Sequence, residues 1–501
     1  MRQTTRVAAV LAVAARVGTV AACSGGGPGS SSADTSVPFN AEGGYWPTGD
    51  GDGRSGFQPE YDAREQPQST FALDIDTASY VYARRRLLDG QLVDPATIRP
   101  EEFINAFPYD YRPPPGDGFA ITVDGARLPA SHGGAGSYHL VRVGLQTRGM
   151  DSATRPDVAL TFVIDVSRSM VEPGRLDLVQ DALHYLIDQL RPTDSVAIVV
   201  YSDEARVLRE MTPVSNRAAL HAAVDDLVPE SRTNLEAGLV LGYRVARDGF
   251  VEGATNRVIL LSDGLANVGS TEAAPILAQV REEARQQITL LGVGVGSQYG
   301  DALMERLADE GDGFVTYVSE PEQARRLFVD RLPAALVVRA LDAKVQVTFD
   351  PSTVDSYRLV GYDNRVLSDE DFRDDRVDGG EVGPGHSVTA LYLVRLRENT
   401  TAGPVAEVRV RWLDPTTREP AETASAITVG ELDVAFGTAS PWLRVAYAAG
   451  YFAEVLRASP YGRDVRLADL AAIAEAAAVE TEDASVAELA QLIRRAQRFI
   501  G

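Results

Sequence analysis

The 501-residue sequence has one cysteine, Cys23, and one lysine, Lys344. A lone cysteine excludes an intrachain disulfide and any paired-cysteine metal or redox site. Arginine therefore carries nearly all the positive charge, a bias of composition rather than a binding device. Acidic residues outnumber basic ones, 71 to 48, for a formal net charge of −23. No nucleic-acid partner is expected, because binding a phosphate backbone rests on clustered cations. The five histidines, His132, His139, His184, His221 and His386, show no HxxxH or HxH spacing suited to zinc. Past the amino terminus no stretch approaches the roughly 20 apolar residues of a spanning helix. No GxSxG elbow occurs, and Gly292, Gly294 and Gly296 lie in the apolar run LGVGVG, which fits strand packing better than a phosphate loop.

What is present begins with Arg2 and Arg6, then apolar residues 7–15, then Val20-Ala21-Ala22 directly before Cys23. This pattern resembles a lipoprotein signal peptide over residues 1–22, interrupted by Arg16, and implies a lipid on the Cys23 thiol. More than one acyl chain, at about 0.8 kcal/mol per buried CH₂, suffices for stable anchoring outside the cytoplasm. Residues 23–68 are rich in Gly, Ser, Pro and Asp and read as a disordered tether. A small α+β domain is expected over 69–150, with a strand at FALDID, helices over 77–88 and 100–107, and a strand at YHLVRVGL.

From about 156 to 335 the pattern becomes α/β. The runs ALTFVID, SVAIVVYS, NRVILLSD and ITLLGVGVG are strands of a doubly wound, mostly parallel sheet covered on both faces. Leu176, Val179, Leu183, Leu186 and Leu190 recur at helical spacing and mark a helix lying on that sheet. A β-rich module is expected over 338–432, and a helical tail of two or three helices over 438–501.

Three segments supply hard oxygen ligands at predicted strand ends, where ligands of open parallel sheets collect: Asp165, Ser167 and Ser169, then Thr233, then Asp263. Mg²⁺, or Mn²⁺, takes six oxygens and keeps waters where the protein supplies too few. If Ser167, Ser169 and Thr233 bind directly and the two carboxylates act through water, the inner shell stays neutral and an outside carboxylate can complete it. Taken singly, Ser167 and Ser169 could instead cap the next helix, Thr233 the helix near Leu235, and Asp263-Gly264 a turn. Asp203 and Glu204 read as a solvated loop. The set DVSRS, Thr233 and Asp263 resembles the DxSxS…T…D pattern of the metal-ion-dependent adhesion site in von Willebrand factor type A (VWA) domains, with a Rossmann-like fold. It departs from that pattern at Arg168, where Gly is usual and whose side chain either leans over the ion or pairs with a partner's acid.

The segments FALDIDTASYVYARR, EEFINAFPYDY at 101–111 and residues 357–392 are similar to bacterial VWA lipoproteins of the YfbK type, so the resemblance covers most of residues 70–400. It implies a lipid-anchored envelope protein whose VWA edge grips an acidic residue of an unknown protein. A metal-independent assembly scaffold is the alternative. An enzyme is a distant third: Asp74-Ile75-Asp76 resembles a phosphatase nucleophile loop, but position 78 is Ala rather than Thr, and no nucleophile and base can be named.

Overall fold

The four apolar runs become adjacent parallel strands, Val158–Asp165, Ser195–Tyr201, Thr255–Ser262 and Ile288–Val295, in the computed structural model of the chain. The structure describes residues 57–73, 76–129, 138–149, 155–230, 232–263, 273–295, scattered positions from 304 to 318, and 338–500 apart from 364, 376, 378 and 416. Two strands extend the sheet: Val315–Val318, parallel, and Ala205–Pro213, antiparallel. The second carries no apolar run because it is an edge strand without fully buried residues. Chain order reverses around Val158–Asp165, which has Ser195–Tyr201 on one side and Thr255–Ser262 on the other.

This sheet is apolar on both faces because helices cover both. Leu160, Phe162 and Ile164 pack with helices Leu176–Gln189 and Arg217–Asp225, through Leu183, Leu186 and Leu220. Val163, Val199 and Leu260 face the other way, against Leu239 and Tyr243 of helix Leu235–Asp248 and Val280 of helix Ala273–Arg285.

The flanking segments correct the domain expectation. Strands from before and after the parallel sheet interleave in two antiparallel sheets. One runs Tyr61–Asp62, Val354–Leu359, Ser387–Leu396, Tyr138–Thr147, Phe119–Arg127; the other runs Val366–Leu367, Gln68–Ala72, Ala340–Phe349, Pro404–Leu413, Pro420–Thr428. Their facing sides share one core that includes Phe71, Val143, Val345, Tyr357 and Val408. Residues 69–150 and 338–432 therefore build one β-sandwich, into which the α/β domain is inserted. Strand periodicity shows which face is apolar but not which strand is the neighbour, so this pairing was hidden. The tether is also shorter than 23–68: Tyr61 pairs with Tyr357, and Gln68 with Thr348. Polar composition concealed the edge strand Tyr61–Asp62 and the start of Gln68–Ala72.

A helical layer covers the outer face of the first sheet. It combines Ala78–Leu88 and Pro100–Ile104 with three tail helices, Pro441–Leu456, Leu467–Thr481 and Ala484–Ile500, packed on Leu140, Leu391 and Leu393. Pro441–Leu456 is buried nearly all round, as its apolar composition requires. Helix Ala78–Leu88 reaches the α/β domain too: Ala78 joins its core, and Val315 N donates to Asp76 Oδ1 at 3.2 Å.

Candidate functional site

Asp165 is the last residue of the central strand, at the carboxyl edge where strand order reverses. It is fully buried. Its Oδ1 accepts from Ser167 N at 2.8 Å and its Oδ2 from Ser262 Oγ at 3.1 Å. The chain then turns through a short 3₁₀ helix, Arg168–Val171. The turn brings Ser167 Oγ and Ser169 Oγ to 3.0 Å from each other. Asp263, one residue past Thr255–Ser262, is equally buried and reaches the same place. Arg175 Nη1 donates to Asp263 Oδ2 at 2.6 Å and to the Ser169 carbonyl at 2.9 Å, while its Nη2 meets Glu172 at 2.6 Å.

Thr233 lies on a loop whose backbone is fastened to the same edge. Glu230 N donates to Val166 O at 2.5 Å, and Asn234 N to Ser202 O at 2.7 Å. Thr233 is half-buried there, although no hydrogen bond joins it to the serines. Ser202 and Arg206 both bond Glu230, which steadies this loop.

The capping alternatives for Ser167 and Thr233 give way, and the turn at Asp263-Gly264 falls partly outside the described residues. Ser167 stands at the start of the 3₁₀ turn but its side chain caps nothing, and the helix from Leu235 is capped by Asn234, whose Oδ1 accepts from Ala237 N at 3.1 Å. Asp263 is engaged in a buried ion pair. The oxygens of Asp165, Ser167, Ser169 and Asp263 are thus brought together, with Thr233 on the adjoining loop. Asp203 and Glu204 are exposed, as a solvated loop should be. Arg168 is exposed on the turn, next to Val171, an apolar side chain that is 62% exposed. Cys23, the leader and most of the tether lie outside the described residues, as do Asp74, Ile75, His132 and Gly296.

Electrostatics favour a cation here. Burial, reinforced by the nearby Asp263 carboxylate and opposed by hydrogen bonds from Ser167 and Ser262, lifts the Asp165 pKa to about 6. Burial, with Asp165 adding to it, also drives the Tyr201 hydroxyl well above its ordinary range. Asp263 pairs with the buried Arg175 guanidinium, Asp165 accepts from Ser167 N and the Ser262 hydroxyl, and the remaining donors are neutral hydroxyls. An oxygen-only set of this kind fits a small hard divalent ion. Arg175, bonded to Asp263 and the Ser169 carbonyl, is the residue of this edge that spacing did not reveal. Among the described residues no group of three or more His, Cys, Asp or Glu converges, which accords with a site built from hydroxyls as much as carboxylates.

Comparison with known proteins adds three matches to family models. The von Willebrand factor type A domain model matches residues 159–329, a von Willebrand factor model matches 56–142, and a model described as uncharacterized protein YfbK, C-terminal, matches 334–499. The chain is 31% identical to the uncharacterized protein YfbK of Escherichia coli K12 over 463 residues, 87% of this chain and 79% of that one. It is 27% identical to the uncharacterized protein sll0103 of Synechocystis over 192 residues, 38% of this chain and 45% of that one. Among solved structures, a von Willebrand factor type A protein from Catenulispora acidiphila aligns over 75% of this chain and 89% of its own, at 16% identity and a TM-score of 0.46.

Proposed function

The chain belongs to the YfbK family of proteins with a VWA domain, and from that premise we propose that the domain's carboxyl edge binds Mg²⁺ or Mn²⁺ and grips an acidic group of a protein partner. The observation that carries this reading is the convergence of Asp165, Ser167, Ser169 and Asp263 at one strand-order reversal, with a surplus of buried negative charge.

Ser167, Ser169 and Thr233 would hold the cation directly, and Asp165 and Asp263 would hold its waters. The bound cation would supply an electrophilic centre open to an outside carboxylate. The chain's own residues shape what arrives. Asp165 fixes the serine turn through Ser167 N. Arg175 orients Asp263 and clamps the Ser169 carbonyl. Arg168 and Val171 form an exposed rim, one cationic and one apolar, suited to an acidic partner with some hydrophobic surface. The hydroxyls and carboxylates of this edge are arranged as donors to a cation, so we read it as a binding module. The likeness of residues 1–22 to a lipoprotein leader, directly before Cys23, supports display from a membrane.

A second reading, a metal-independent scaffold of an envelope complex, is favoured by the Arg175–Asp263 pair, because a guanidinium already answers one carboxylate without any ion.

Titration of Mg²⁺ and Mn²⁺ into the detergent-solubilised full chain, beside Asp165→Ala, separates the two. One equivalent bound by the parent and at least tenfold weaker binding by the variant is expected, followed by partner capture that a chelator abolishes. A parent that binds neither ion, or capture indifferent to chelation, rejects the metal-dependent reading in favour of the scaffold.

A further inference from the structure

Helix Ala78–Leu88 carries Arg84, Arg85 and Arg86 and no acid, and helix Ala484–Ile500 carries Arg494, Arg495 and Arg498 against one acid, Glu488. Six arginines and one glutamate give the two helices a formal charge of +5 in a chain of −23. Only packing joins them, since their contacts link residues 404 and 407 positions apart. Arg84 pairs with Glu488 at 2.7 Å, and Arg495 Nη1 donates to Leu88 O at 3.1 Å. Contacts that advance along both helices together set them parallel, so their carboxyl ends meet at one end of the pair.

Carboxylates answer only half of this charge. Arg84, Arg85 and Arg494 pair with Glu488, Asp89 and Glu475. Among the described residues Arg86, Arg495 and Arg498 form no ion pair; Arg86 Nε donates to Leu92 O at 3.0 Å, and Arg495 to Leu88 O. Asp94, two residues past Leu92, is committed to Ala96 N at 3.0 Å. Apolar side chains stand among these cations. Leu92 is 58% exposed, and Phe499 and Ile500, about one helical turn beyond Arg495, are each 39% exposed. Helix carboxyl ends favour nearby cations, which accounts for arginine here but not for the exposed leucine, phenylalanine and isoleucine. We propose that this end of the helix pair is a docking face for a bilayer surface bearing anionic headgroups.

Lipid phosphates pair with the guanidiniums, and the apolar side chains enter the boundary between headgroups and acyl chains. Helix Ala484–Ile500 has the build for this role: it buries Val486, Leu489, Ile493 and Ala496 against the protein and turns Arg494 and Arg498 outward. Each arginine near an anionic surface strengthens binding about fivefold, so the three unpaired ones supply roughly a hundredfold. That is enough to choose an orientation. The charge of −23 repels the rest of the molecule from the same surface, leaving this face as the one that turns toward it. Display from a membrane, part of the functional reading above, would bring the face to such a surface, but the charge and exposure stand without it. An acidic protein would meet the arginines too, and the test separates it from lipid.

The test is hydrogen exchange over residues 86–92 and 494–500 of the full chain, titrated with vesicles of phosphatidylcholine alone or mixed with phosphatidylglycerol. Reading these segments directly keeps any membrane contact of residues 1–22 out of the result. The mixed vesicles should slow exchange in both segments and phosphatidylcholine should not. About 1 M salt, which shortens the screening length to about 3 Å, should reverse most of the effect. In Arg86→Gln/Arg495→Gln/Arg498→Gln the vesicle concentration for half-protection should rise roughly a hundredfold. Arg86→Gln/Arg498→Gln, which keeps the Arg495–Leu88 bond, should raise it about 25-fold and serves if the triple variant loosens the helix pair. Phe499→Ser should remove the protection that survives high salt. Equal protection by both kinds of vesicle, no protection by either, or protection unchanged in both arginine variants overturns the proposal. Protection by poly-glutamate but not by the mixed vesicles overturns it in favour of an acidic protein. A chelator leaves every arm unchanged, so the result is independent of the magnesium edge.

Discussion

Arg175 and Asp263 meet with side chains 5% and 0% exposed, so neither charge is answered by solvent. Removing one member of such a pair leaves the other as an uncompensated buried charge, at a cost of about 3–5 kcal/mol. Arg175→Met should therefore lower the melting temperature of the metal-free protein markedly. Saturating Mg²⁺ should recover much of the loss, since a cation can replace the guanidinium beside Asp263; thermal melts with and without Mg²⁺ decide it, and equal losses in both conditions would deny the edge its cation. Asp165 sets the pH dependence. Its pKa of about 6 in the fold lies above the ordinary carboxylate value of about 3.9, so the folded state holds this proton more tightly than the unfolded chain. The resulting stabilisation is complete below about pH 4 and is lost as pH rises to about 6, amounting to at most about 3 kcal/mol. Metal needs the carboxylate, so Mg²⁺ affinity should climb through that same window, and Asp165→Asn should flatten the stability profile of the metal-free protein. At this scale the oxygens that converge at the edge were legible because Asp165, Ser167 and Ser169 share a five-residue segment. Arg175 was not, because it is one arginine among many until the fold turns it back on Asp263.

Helix Pro441–Leu456 is joined to the sandwich by charge as well as by packing. Glu454 Oε1 accepts from Arg358 of strand Val354–Leu359 at 2.9 Å, and its Oε2 accepts from Arg457 at 3.0 Å, while Arg457 also bonds Asp363. Tyr461 stacks on the Arg358 guanidinium at 3.8 Å. Burial alone would raise the Glu454 pKa, but Arg457 and Arg358 outweigh it and hold it at about 2. A depressed carboxylate gives stability that is present above the unfolded value of about 4.3 and is lost as pH falls through it toward 2. Glu454→Gln should cost about 3–5 kcal/mol at neutral pH, because Arg358 loses its buried partner. The variant should also be less acid-labile between pH 4.5 and 2, which urea melts at pH 7 and pH 3 would show; an unchanged acid profile would mean that this network does not fasten the helix. Elements of this kind were partly readable. Fully apolar runs announced the parallel strands, and helical periodicity announced the tail over 438–501. Ala205–Pro213 and Tyr61–Asp62 were silent because edge strands need no apolar face.

The β-sandwich makes the chain before the VWA domain depend on the chain after it. Tyr138–Thr147 is hydrogen-bonded on one side to Phe119–Arg127 and on the other to Ser387–Leu396, with Val143 opposite Ala390 and Leu145 opposite Val388. Gln68–Ala72 sits between Ala340–Phe349 and Val366–Leu367, both supplied from beyond the insertion. Local patterning cannot report such pairings, because the residues that meet are some 240 to 300 positions apart and each strand alternates correctly whichever neighbour it has. The consequence for folding is specific. A chain ended at residue 335 keeps every strand of the parallel sheet yet leaves Val141, Val143, Leu145 and Phe71 without the partners that bury them. It should form the VWA domain while residues 57–147 lack the strands and helices that close their core and stay prone to associate through their open edges. Hydrogen exchange on that fragment should show protection over 158–262 at the level of the full chain, and fast exchange over 61–72 and 119–147. Adding residues 338–501 as a second chain should restore protection to both segments, because the missing strands and the helical layer return with it. Protection of 119–147 without the second chain would mean that the amino-terminal strands fold alone, and that the sandwich is an association of two finished halves instead of one core closed by both ends of the chain.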